Sequence, residues 1–162
     1  MAANTIPFGF GEKASLAADP GRLADLGNVY FAGPNAYRMV QCVTTALLLT
    51  ANGKFVDETS AVTLTYKSAA LSAVTSAKPL GLVSTAQVSL NIGDFFLVQV
   101  QGVGTVTGAN TVTVATGVTT AAGGLVANVT GTFAATVPPT IVGTALATAA
   151  GATATVRLQN LI

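Results

Sequence analysis

Apolar and polar residues alternate with period two along much of this chain. Val62, Leu64 and Tyr66 alternate with Thr63, Thr65 and Lys67, the pattern of a half-buried strand. Val98 and Val100 alternate with Gln99 and Gln101, and Val106, Val112 and Val114 with threonines. Branched side chains suit a pleated sheet and lose χ1 freedom in a helix. The same reasoning predicts strands at Met39–Val43, Phe55–Val56, Leu80–Val83, Phe95–Gln101, Leu125–Val129, Ile141–Leu146 and Ala154–Leu158. Turn signals separate them: Asn52-Gly53, Asn91-Ile92-Gly93-Asp94, Gly108-Ala109-Asn110 and Gly123-Gly124, with a break at Pro138-Pro139. The last two strands read as a hairpin around Gly151. Ser68–Ala77 stays open, because its alanines allow a helix while Val74 and Thr75 favour extension. Short strands at this spacing predict an all-β fold, a compact β-barrel or sandwich.

The first 35 residues follow another pattern. Pro7, Gly9, Gly11, Pro20, Gly21, Gly27, Gly33 and Pro34 prevent one long element. Ile6, Phe8, Phe10, Leu16, Leu23, Leu26, Tyr30 and Phe31 nevertheless supply sizeable apolar groups. Residues 1–35 are therefore expected to form an extended N-terminal arm that packs against something, and residues 36–162 the β-rich domain. One helical turn is expected around Arg22–Leu26, started by Asp19-Pro20.

Charge sharpens the picture. Charged residues make up 8% of the 162 residues, against about 25% in an ordinary soluble domain. None lies between Phe95 and Val156. A surface with so few charges has little electrostatic protection against association. Acid–base chemistry is also hard to build there, so the composition argues for a structural protein and against an enzyme. The formal net charge of +1, with no basic cluster, argues against nucleic-acid binding. Thr, Gln, Asn and Gly interrupt every apolar run, so no membrane helix is expected. Aromatic residues at 6% argue against the girdles of an outer-membrane barrel. No secretory signal is expected.

Histidine is absent, which excludes Ser-His-Asp and Cys-His catalysis and a His-ligated zinc site. Cys42 is the sole cysteine and reads as a small core residue. Lys67 and Ser68 are neighbours on a strand and face opposite ways, so they make no dyad. Asp57-Glu58 reads as a solvated loop, and Asp94 as an acceptor of backbone hydrogen bonds in its turn. Gly102-Val103-Gly104 resembles part of a dinucleotide loop, but Thr107 occupies the place of the third glycine. No catalytic residue, cofactor or metal site is expected.

Two stretches carry a family resemblance. Lys78-Pro79-Leu80-Gly81-Leu82-Val83 and Ile92-Gly93-Asp94-Phe95-Phe96-Leu97-Val98-Gln99-Val100-Gln101-Gly102 resemble the core of capsid decoration, or cement, proteins of tailed bacteriophages. Val142–Leu146 and Thr155–Leu158 are similar in style. The resemblance implies a β-rich, often trimeric protein on the outer capsid surface, made in the host cytoplasm, that clamps neighbouring major capsid subunits. The expected partners are the major capsid protein and the chain itself, without nucleic acid or membrane. Candidate contacts are the aromatics Phe8, Phe10, Tyr30, Phe31 and Tyr37, with Arg22 and Arg38. The plainer alternative for each aromatic is packing within its own protomer. Another virion surface component, such as a head fibre, or a self-assembling shell or adhesin protein, is the competing expectation.

Overall fold

The computed structural model describes residues 5–43, 52–58, 65–71, 79–107, 117–121, 125–128, 141–147, 153–159 and 161. The strands in chain order are β1 (Lys13–Ala14), β2 (Val29–Ala32), β3 (Asn35–Cys42), β4 (Phe55–Glu58), β5 (Lys67–Leu71), β6 (Pro79–Val83), β7 (Phe95–Val106), β8 (Gly117–Ala121), β9 (Leu125–Asn128), β10 (Ile141–Ala145) and β11 (Ala154–Leu158). One 3₁₀ helix, Pro20–Asp25, precedes β2 and takes the place of the expected helical turn. The fold is mainly β, as the alternation predicts. The expected strands at Val62–Leu64 and Val112–Val114 lie outside the described residues, as does the turn at Gly108–Asn110.

Pairing organises these strands around β3 and β7. β3 pairs β7 antiparallel from Ala36↔Gln101 to Gln41↔Phe95. On its other edge β3 carries β2 and then β5, the latter in parallel. β5 pairs β4, β4 pairs β6, and β6 returns to β7. These five strands thus surround a common interior. The sheet as a whole stays open, because β11, β10, β8 and β9 continue from the far half of β7. The result is compact and sandwich-like.

Side-chain alternation on β3 and β7 explains their near-continuous apolar runs. Ala36, Val40 and Cys42 of β3 face the interior with Phe96, Val98 and Val100 of β7, Val56, Leu80, Val83 and Leu90. The opposite faces carry Met39, Phe95 and Leu97, which pack with Tyr30 under the N-terminal segment. A strand buried on both faces has no solvent side to mark with polar residues. A third cluster joins Phe55 and Leu82 to Val106, Val142, Val156 and Leu158 of the following strands. Each such buried side chain contributes about 1.5–3 kcal/mol of hydrophobic stabilisation. Cys42 is wholly buried, as expected.

Two glycines set the path of the chain. Gly53, in the expected Asn52-Gly53 turn, has φ +65. Its N–H donates to the Ser84 carbonyl at 3.2 Å and its carbonyl accepts from the Thr107 N–H at 2.8 Å. Gly102 has φ +101 and marks the bend where β7 leaves β3 for β11. A Cβ there would run into the Asn35 side chain. The Gly102-Val103-Gly104 stretch is therefore a strand bend.

One local reading is corrected. Asp57 and Glu58 do not lie in a solvated loop; they end β4. Glu58 reaches across to the start of β5 and accepts from the Thr65 hydroxyl at 2.6 Å and the Tyr66 N–H at 2.8 Å. These half-buried donors, rather than water, place the carboxylate.

Candidate partner-binding surface

The arm residues are built into the domain. Ile6, Phe8, Phe10, Ala14, Leu16 and Leu26 pack on the outer face formed by Tyr30, Met39, Phe95 and Leu97. β1 fixes the segment to the start of β7 through Lys13↔Phe96 and Ala14↔Phe95. The Lys13 ammonium adds an ion pair to Asp94 at 2.7 Å. Further on, the Val88 N–H donates to the Gly11 carbonyl at 2.9 Å, and Gln87 Nε2 to that of Glu12 at 3.1 Å. β2 pairs β3 in the same sheet, and Asn35 is already the first residue of β3.

The seven residues singled out by sequence occupy different environments. Tyr30 is buried. Phe8 lies half-buried in the same cluster. Phe10 and Tyr37 are half-buried with ring centroids 4.8 Å apart, tilted by 41°. Arg22 pairs with Asp19, just before its helix, at 2.8 Å and with Asp25, at the helix end, at 3.1 Å. Arg38 is buried, stands over the Tyr66 ring at 5.6 Å, and donates from Nη2 to the Leu161 carbonyl at 2.9 Å. Burial pulls its guanidinium below the ordinary arginine pKa, and Tyr66 and Glu58 offset part of that. Phe31 alone among the seven points out, with 65% of its surface exposed.

Two clefts lie beside the bend of β7. Val103 is 49% exposed and borders two clefts. The larger, about 500 Å³, lies between Pro34, Asn35, Val103 and Arg157. The smaller, about 240 Å³, lies between Phe10, Tyr37, Thr85 and Gln99. Gln99 is buried and braces the bend from inside: its Nε2 donates to Asn35 Oδ1 at 3.3 Å and to the carbonyls of Gln101 and Val103 at 3.1 Å each. Sequence reasoning missed Val103, Arg157 and Gln99 as surface-shaping residues. The glycines flanking Val103 were the available signal, since they mark a backbone that must turn.

The two clefts offer apolar side chains, amides, hydroxyls and the Arg157 cation. Among the described residues no group of three or more acidic, Cys or His side chains could hold a metal ion. No helix among them is long and apolar enough to cross a membrane.

The arrangement defines a mainly β, sandwich-like domain whose ring of strands is strapped by its own N-terminal segment. No protein-family model and no curated protein sequence matches the chain. A solved structure does match: the N base of the head fibre protein gp8.5 of bacteriophage phi29, with a TM-score of 0.50. The match covers 76% of this chain and 95% of that one at 14% sequence identity. At that identity the likeness is one of fold.

Proposed function

We propose that this chain is a structural protein of a bacteriophage virion, and that it serves as the base of a head-fibre type of appendage seated on the capsid shell. The observation that carries this reading is the fold likeness to the phi29 head fibre base, which spans nearly all of that domain. The scarcity of charge supports it, since faces that meet protein in an assembly need few. Exposed Phe31 and Val103 supply apolar contacts of the kind that anchor an interface. The role is passive and non-catalytic: binding only the assembled shell stabilises that shell by mass action. The partners are the major capsid protein and further copies of the chain, as a homotrimer.

A flush capsid cement is the second reading, favoured by the resemblance of Lys78–Val83 and Ile92–Gly102 to decoration proteins. Immunogold electron microscopy of purified virions, with antibodies against this chain, tests both. Label on the head surface is expected. Density projecting from the shell at the labelled sites identifies a fibre base, and flush density a cement. Absence of the chain from purified virions overturns the reading.

A further inference from the structure

We propose that the smaller cleft beside the β7 bend is a binding site for a neutral sugar ring. Its volume of about 240 Å³ suits one pyranose rather than a peptide helix or a nucleotide. No charged side chain lines it. A phosphate or carboxylate ligand would therefore find no counter-ion, whereas an uncharged polyhydroxylated ligand needs none.

The lining matches the two-sided chemistry of a sugar. Phe10 and Tyr37 form a tilted aromatic pair at one wall, against which the C–H face of a pyranose can stack. Ser84, Thr85, Gln99 and Thr105 supply hydroxyl and amide groups around it. Thr85 and Thr105 are exposed, so their hydroxyls are open to a ligand. Ser84 Oγ accepts the Ala86 N–H at 3.1 Å and keeps its own proton to donate. Gln99 has its Nε2 committed to the bend, which holds the amide in one orientation. An acceptor fixed in advance loses little freedom when a ligand arrives. The larger cleft differs, because Arg157 lines it.

The same chemistry serves a free monosaccharide and the end of a surface polysaccharide. The site stands independently of the virion reading, because it is measured on the isolated full chain. The probes are glucose, galactose, N-acetylglucosamine and N-acetylgalactosamine, titrated while recording ¹H–¹⁵N spectra. The expected result is a saturable shift of the Thr85 and Thr105 amides and the Gln99 side-chain amide with at least one sugar, with Kd on the order of 1 mM. Tyr37→Ala should weaken binding at least tenfold. Because that change also loosens the Phe10 contact, Thr85→Val at an exposed position is the second variant and should weaken binding severalfold with the spectrum otherwise intact. A polysaccharide source is identified by additional retention on amylose or chitin beads that the free sugar competes away. No saturable shift with any of the four sugars overturns the proposal, as does a shift that both variants leave unchanged. Bead retention without a monosaccharide response also overturns it.

Discussion

Lys13 Nζ lies 2.7 Å from Asp94 Oδ2, and the same oxygen accepts the Asn91 N–H at 2.7 Å. One nearly buried carboxylate thus closes the turn before β7 and ties the N-terminal segment to it. The sequence places Asp94 in its turn role; the ion pair across 81 residues comes from the fold. Lys13→Ala and Asp94→Asn should each destabilise the protein. Their double-mutant cycle should give a coupling of roughly 0.5–3 kcal/mol in urea unfolding. Zero coupling would mean that apolar packing alone holds the segment.

Gln99→Leu tests the brace of the β7 bend. The substitution keeps the bulk and removes the hydrogen bonds to Asn35, Gln101 and Val103. A loss of about 1–3 kcal/mol is expected, because the carbonyls it served are left without that donor. The urea midpoint reads the change, and an unaltered midpoint would show that the bend holds itself.

Acid should weaken the β4–β5 contact through Glu58. Burial alone would raise the pKa of this carboxyl, but hydrogen bonds from Thr65, Tyr66 and Lys67 outweigh it and hold the value below the ordinary range. The folded state therefore binds the proton less readily than the unfolded state. The stabilisation is fully present above the unfolded carboxylate pKa of about 4.3 and is lost as pH falls through the lower folded value. Thermal melts from neutral to acid pH should show this loss. Glu58→Gln should reduce the acid-dependent fall while lowering stability at neutral pH. An acid limb identical in the variant would assign the effect to another carboxylate.

Phe31 and Tyr30 are neighbours on β2 with opposite environments, so they separate binding from folding. Phe31→Ser should change stability by no more than about 0.5 kcal/mol, as for other exposed sites. It should weaken binding to purified shells by about tenfold, or 1.4 kcal/mol. Tyr30→Ala removes a buried ring and should cost about 3–5 kcal/mol, the range for large aromatic truncations in a core. Calorimetry and co-sedimentation with shells provide the two readouts. Undiminished co-sedimentation of Phe31→Ser would remove β2 from the interface.

The strands were legible because their side chains meet water or core in alternation. Phe95–Gln101 was recognisable even where the alternation fails, since its residues are β-favouring and end at clear turns. The ring of strands was not legible. It depends on the parallel contact of Gln41 with Lys67 and the return of Leu82 to Gln99, neither of which leaves a local mark. The aromatic contacts divided for the same reason. Composition shows that Phe8, Phe10 and Tyr30 need an apolar surface; only the register of β3 against β7 shows that their own domain supplies it. Glu58 was misread because its donors come from a segment that the turn at Asn52-Gly53 does not reveal.

The bond from Arg38 to the Leu161 carbonyl sets an order of events during synthesis. Arg38 is made before Leu161, and its buried charge gains this acceptor only after 123 further residues have been made. Leu161 also donates its N–H to the Val100 carbonyl of β7 at 3.1 Å. Contacts at such sequence separation slow folding, because the intervening chain must be closed into a loop first. A nascent chain halted before residue 161 would hold the buried Arg38 guanidinium without this acceptor. A chain lacking Leu161 should therefore be less stable than one that carries it.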